Sequence, residues 1–188
     1  MPKIQSYDIV SPSPSDLIVV TDASDNNSTK NIRVDSLSSA TAVSYYGAAY
    51  YAGTSPHNQV VNTMNTWGAS SVPLALNVFS DGIELSSDTE NLLFEEGVPP
   101  GSYKFDVVAT IGGANNQNIH LRVDISGTPV TGSEEDVTTS SGGDYVQIVS
   151  SSIYGGIGGQ TIKLNFKNST SDTDFEVKHV SFIVTQID

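Results

Sequence analysis

The chain has no cysteine among its 188 residues. Disulfides and thiolate metal sites are therefore excluded, and any core must hold without covalent staples. Basic residues are scarce too: 8 Lys and Arg stand against 21 Asp and Glu, a formal net charge of −13. Binding to a nucleic-acid backbone depends on Lys and Arg displacing counterions, so this surface repels phosphate. No nucleic-acid partner is expected. No apolar run approaches the ~18 residues of a membrane-spanning helix, and Met1-Pro2-Lys3-Ile4-Gln5 opens no apolar leader. The expectation is a soluble protein without membrane insertion. The three histidines, His57, His120 and His179, share no ligand spacing. The Gly-rich run from Tyr154 to Gly159 lacks the Lys and helix of a phosphate loop and reads as a strand connection. Two oxygen-rich stretches, Asp22 to Asn27 and Glu134-Glu135-Asp136, read as a turn and a solvated loop rather than calcium sites. No catalytic residue, cofactor or metal is expected, and the chain does not read as an enzyme.

What is present is turn chemistry and alternation. The 16 Gly and 8 Pro, with many Ser and Thr, separate short runs of period two, which favours an all-β class. In Asn118–Ile125 the residues Ile119, Leu121, Val123 and Ile125 share one face, while His120, Arg122 and Asp124 share the other. His120 is thus expected as an exposed imidazole. Thr161–Lys167 sends Ile162, Leu164 and Phe166 inward. From Phe175 to Ile187 the parity breaks: Phe175 and Val177 match, then Val180, Phe182 and Val184 take the other phase. A bulge near His179 would keep both sets on the core. Phe166 and Phe182 are expected on adjacent strands of one sheet. Tyr103 to Ile111 alternates as well, Asp81-Gly82 marks a tight turn, and strand pairing resumes at Asp144–Ile148. A first strand is expected around Val60-Val61 and Thr63 to Trp67, with Trp67 as a core or rim anchor.

From about His57 to Ile187 the order of these features resembles the TNF/C1q-like jelly-roll domain of small tailed-phage virion proteins. The resemblance rests on Ser86 to Phe94, the Gly-x-Tyr step Gly101-Ser102-Tyr103 into a long strand, Ile119 to Gly127, Thr161 to Phe166 and the closing Val177 to Val184. The chain departs from the family at Gly158-Gly159-Gln160, where Gly-Asp is common. The resemblance implies a jelly-roll β-sandwich that assembles as a homotrimer through one side.

The first 40 residues read as a separate module. Ser11-Pro12-Ser13-Pro14-Ser15 favours an extended arm. Asp16 to Asp22 and Lys30 to Val34 form a hairpin around the Asp25-Asn26-Asn27-Ser28 turn, and Asp35-Ser36 caps a turn holding Leu37. The hairpin resembles N-terminal modules of phage fibre and decoration proteins. Its apolar residues Leu17, Ile18, Val19, Val20, Ile32, Val34 and Leu37 lack a core of their own and are the candidate virion anchor. Residues 41–56 read as a Ser/Ala/Tyr-rich linker into a domain spanning 57–188. Within it Tyr45, Tyr46, Tyr50 and Tyr51 suit the base of the sandwich or a subunit interface, where ring and hydroxyl are both served.

The functional expectation is a structural phage protein: a trimeric capsid decoration or head-fibre protein on the outer surface of the virion. Its partners would be itself and the major capsid protein or another virion protein. The alternatives are a tail-fibre tip or receptor-binding adhesin that meets a host-surface glycan, and a polysaccharide-degrading enzyme.

Overall fold

The structure, a computed structural model, describes residues 17–22, 28–33, 45–51, 53–77, 80–156 and 158–187. The chain divides into two compact units, residues 1–43 and 44–188.

In the first unit β1 (Leu17–Asp22) pairs antiparallel with β2 (Ser28–Arg33), Leu17 opposite Arg33 and Asp22 opposite Ser28. The β-branched run Ile18-Val19-Val20-Thr21 suits a pleated strand. The second strand lies two residues earlier at its start than the pattern suggested. Val34 and Leu37 of the candidate anchor fall outside the described residues.

The second unit is built from β3 (Tyr46–Tyr51), β4 (His57–Gln59), β5 (Gly68–Ala69), β6 (Leu74–Leu76), β7 (Ile83–Leu85), β8 (Leu92–Phe94), β9 (Gly101–Gly112), β10 (Asn118–Ile125), β11 (Thr128–Pro129), β12 (Glu135–Thr138), β13 (Val146–Gly156), β14 (Thr161–Asn168) and β15 (Phe175–Gln186). One sheet runs β11-β10-β14-β8-β7, with β12 also on β10 and β5 on β14. The other runs β13-β9-β15-β3-β6, with β4 on the early part of β15. The described pairings are antiparallel, and the sheets face each other as an all-β sandwich.

Alternation places the core. Tyr103, Phe105, Val107, Ala109 and Ile111 of β9 point between the sheets, as do Ile119, Leu121, Val123 and Ile125 of β10. On β15 the register against β9 shifts between Val177 and His179. Phe175 and Val177 before the bulge and Val180, Phe182 and Val184 after it are all buried, as the parity break predicts. Aromatic rings tie the layers: Phe94 lies 4.7 Å from Tyr103 and 6.4 Å from Phe105, which lies 6.4 Å from Phe182, centroid to centroid.

Several expectations need correction. Residues 46–51 are not linker but strand β3, paired with β15 from Tyr46–Thr185 to Tyr50–Ser181. Phe166 and Phe182 are both buried, yet they stand on opposite sheets, and Phe166 packs on Phe175 at 5.5 Å. Glu135 and Asp136 belong to β12, whose backbone pairs with β10, rather than to a free loop. Residues 60–67 form a strap between β4 and β5 instead of a strand. Tyr154 to Gly156 finish β13.

Gly47 of β3 shows how closely the sheet approaches its cover. A methyl there would lie 2.4 Å from Ile83 Cβ, and Ile83 is itself buried. Gly47→Ala is expected to destabilise the unit by roughly 1–3 kcal/mol through overpacking. Urea unfolding of the variant measures this, and an unchanged midpoint would contradict the packing of β3 on Ile83.

Candidate functional site

The outer face of the β13-β9-β15-β3 sheet gathers five exposed large apolar or aromatic side chains, Tyr46, Tyr50, Val149, Ile153 and Ile183. Strand register lines it up in three rungs. Val149 stands beside Val108, Ser181 and Tyr50 in the first. Ser151, Asp106, Ile183 and Ala48 form the second, and Ile153, Lys104, Thr185 and Tyr46 the third. Val149 is 58% exposed, Ile153 59% and Ile183 41%, with Tyr46 and Tyr50 similarly open. Scattered apolar side chains are ordinary on a protein surface, but neighbours across four strands make a patch. The β13 sequence from Val146 to Gly156 carries no charged residue at all, although edge strands are usually protected by charge.

One ion pair interrupts the face. Lys104 Nζ lies 2.9 Å from Asp106 Oδ2, and Ser151 Oγ donates to Asp106 Oδ1 at 2.7 Å. Partial burial pushes the Asp106 carboxyl up, but the bonds from Lys104 and Ser151 and the Lys104 charge outweigh it and hold the group below its ordinary range.

Of the four candidate interface tyrosines, Tyr46 and Tyr50 sit on this face, while Tyr45 and Tyr51 pack against the core cluster. The Tyr51 hydroxyl donates to the Ser55 carbonyl at 2.7 Å. Leu17, Ile18, Val19, Val20 and Ile32 of the candidate anchor lie in the hairpin of the other unit. Sequence reading missed Val149, Ile153 and Ile183. The available signal was β13 itself, where Ile148 and Val149 put apolar residues on both parities.

The opposite sheet carries a different outer feature. Of the two places expected for Trp67, core or rim, it takes the outer one, half-buried: Arg122 Cζ lies 4.3 Å and Lys167 Nζ 4.6 Å from the ring centroid, and the His120 ring meets it edge-on at 6.3 Å. Glu134 Oε1 accepts from Lys167 Nζ at 3.3 Å and lies 3.4 Å from His120 Nδ1, while Ser169 Oγ is 2.9 Å from His120 Nε2. Asp124 takes two bonds from Arg122, at 2.8 and 3.0 Å. His120 is therefore a half-buried, partnered imidazole, not the free surface group expected.

Burial, and next the charge of Lys167, push the His120 pKa below its ordinary 6.5, although Asp136 and Glu134 pull it up. The neutral imidazole is thus the form the fold favours. Its contribution is fully present above about pH 6.5 and is lost as pH falls through the lower folded value. Between pH 7 and 5 the native chain is expected to lose more stability than a His120→Gln variant, by thermal unfolding at matched ionic strength. Equal losses would remove His120 as the cause. Among the described residues no group of three His, Asp or Glu side chains is placed to hold a metal ion.

Searches with protein-family models and with curated proteins find no match. Solved structures do match. The Eiger TNF of S. frugiperda aligns with 77% of this chain and 93% of its own at 10% identity and a TM-score of 0.53. The PRD1 vertex protein P5 aligns with 99% of this chain and 88% of its own at 13% identity and a TM-score of 0.52. The fold is a TNF-like jelly roll. At such low identity these similarities speak for the architecture, which is the one the spacing of β9, β10, β14 and β15 suggested.

Proposed function

We propose that the protein is a structural component of a phage particle, a homotrimeric capsid decoration protein. In this reading its first 40 residues hold the major capsid protein or another virion protein, and its jelly roll is displayed on the outer surface. The observation that carries the reading is the apolar face of Tyr46, Tyr50, Val149, Ile153 and Ile183. Such a face gains stability when a second copy covers it, at about 25 cal/mol per Å2 of apolar area. Threefold closure supplies that cover without leaving an open chain of copies. The acidic remainder, with a whole-chain charge of −13, keeps assembled heads from sticking to one another. The fold shared with a vertex protein supports a place on a particle, and the hairpin with its apolar β1 supports attachment by strand pairing.

The deciding experiment has two parts. Light scattering of the full chain at micromolar concentration should report three copies. Particles stripped of the protein should bind the full chain again, while residues 41–188 alone remain trimeric and stay in the supernatant. Retention of the truncated chain would move attachment to the jelly roll, and a monomer would end the assembly reading.

A further inference from the structure

The β4–β5 strap leaves a cleft of about 140 Å3 against β14 where the chain crosses from one sheet to the other. Asn62, Thr63, Thr66, Trp67 and Lys167 line it, above the buried Phe166–Phe175 pair. We propose that this cleft is a binding site for a neutral sugar ring.

The chemistry of the lining favours that ligand. A sugar presents hydroxyls around an apolar C–H face, so its site needs a rigid aromatic surface and several short polar side chains. Trp67 supplies the aromatic surface, and its position is fixed by Arg122 and Lys167. Asn62 and Thr63 are exposed, and among the described residues neither side chain has a hydrogen-bond partner. Together they offer an amide and a hydroxyl, each able to donate and accept. Among the described residues the Thr66 hydroxyl makes only a long 3.5 Å bond, to the Met64 carbonyl. Lys167 engages Glu134 with one of its three donors.

Charge decides between neutral and acidic ligands. Lys167 is matched by Glu134 and Arg122 by Asp124, so the cluster around Trp67 holds no uncompensated cation to attract a carboxylate or phosphate. The chain's net charge of −13 repels acidic polymers from a distance. The cleft also lies by Phe175 at the start of β15, whereas the apolar rungs cross that strand at Ser181, Ile183 and Thr185. Sugar binding goes beyond the assembly role and does not depend on it.

Trp67 is the sole tryptophan of the chain, so intrinsic fluorescence reports on this cleft directly. The full chain would be titrated with glucose, galactose and N-acetylglucosamine, with saturation-transfer NMR on the same samples and sodium glucuronate as the charged comparison. At least one neutral sugar should change the emission saturably with a millimolar dissociation constant, about −4 kcal/mol. Asn62→Ala combined with Thr63→Ala should weaken that response about tenfold while leaving the oligomeric state by light scattering and the near-ultraviolet circular dichroism unchanged. No saturable response to any of the three sugars would overturn the proposal. So would an undiminished response in the folded double variant, or tighter binding of glucuronate than of every neutral sugar. Light scattering reads the assembly separately, so failure of one claim leaves the other standing.

Discussion

Phe105→Ala is expected to lower the unfolding free energy by about 3–5 kcal/mol, the range for deleting a fully buried aromatic ring. Phe105 has no exposed surface, and its ring meets Phe94 from one sheet and Phe182 from the other. Truncation opens a cavity where both sheets supply walls, and neither long strand beside it is free to collapse. β9 is held by β13 from Gly101 to Ile111 and by β15 on its other side. Typical domains are stable by only about 5–15 kcal/mol, so this one change removes a large share. Val60→Ala, at a 52% exposed position on the strap, is the control and should stay within about 0.5 kcal/mol. Denaturant midpoints at unchanged slope measure both. A cost for Phe105→Ala no larger than for Val60→Ala would mean that the sheets do not pack through this ring.

The parts of this fold that were legible in the sequence are those whose inward residues are large and apolar. β10 and β14 alternate cleanly, and even the β15 bulge could be inferred, because Phe175, Val177, Val180, Phe182 and Val184 announce their own change of phase. β3 was hidden by the reverse arrangement. Its buried positions are Gly47 and Ala49, while the large Tyr46 and Tyr50 point outward, so period two is present without an apolar signal. β12 was hidden because its stability comes from the β10 ladder and not from its own acidic side chains. Alternation also fixes only which face a residue takes. It placed Phe166 and Phe182 inward but could not assign their sheets, which depends on the long antiparallel pairings of β14 and β15. The Trp67 cluster was out of reach for a related reason. Its members come from the strap, β10, β14 and the segment before β12, and only the fold brings them together.

The same logic separates folding from assembly in a second expected result. Val149→Lys combined with Ile183→Lys should turn the proposed trimer into monomers while leaving the jelly roll folded. In a single chain both positions are open, at 58% and 41% exposure, so a lysine at either can keep its ammonium in water. In a covered face the same ammonium groups would be desolvated, at a cost of several kcal/mol each. The neighbourhood adds to this: Ile183 stands opposite Asp106, whose charge is already taken by Lys104 at 2.9 Å. The substitutions also remove two aliphatic side chains, each worth roughly 1.5–3 kcal/mol when fully buried. The apparent mass in light scattering should therefore fall to about one third, with the β-sheet circular dichroism unchanged. The thermal midpoint should become independent of protein concentration, because only the assembled form gains stability by mass action. A double variant that stays trimeric would show that Val149 and Ile183 lie outside the contact, and the apolar face would then need another occupant. Loss of the circular dichroism would instead show that these side chains serve the fold of the single chain, against their exposure.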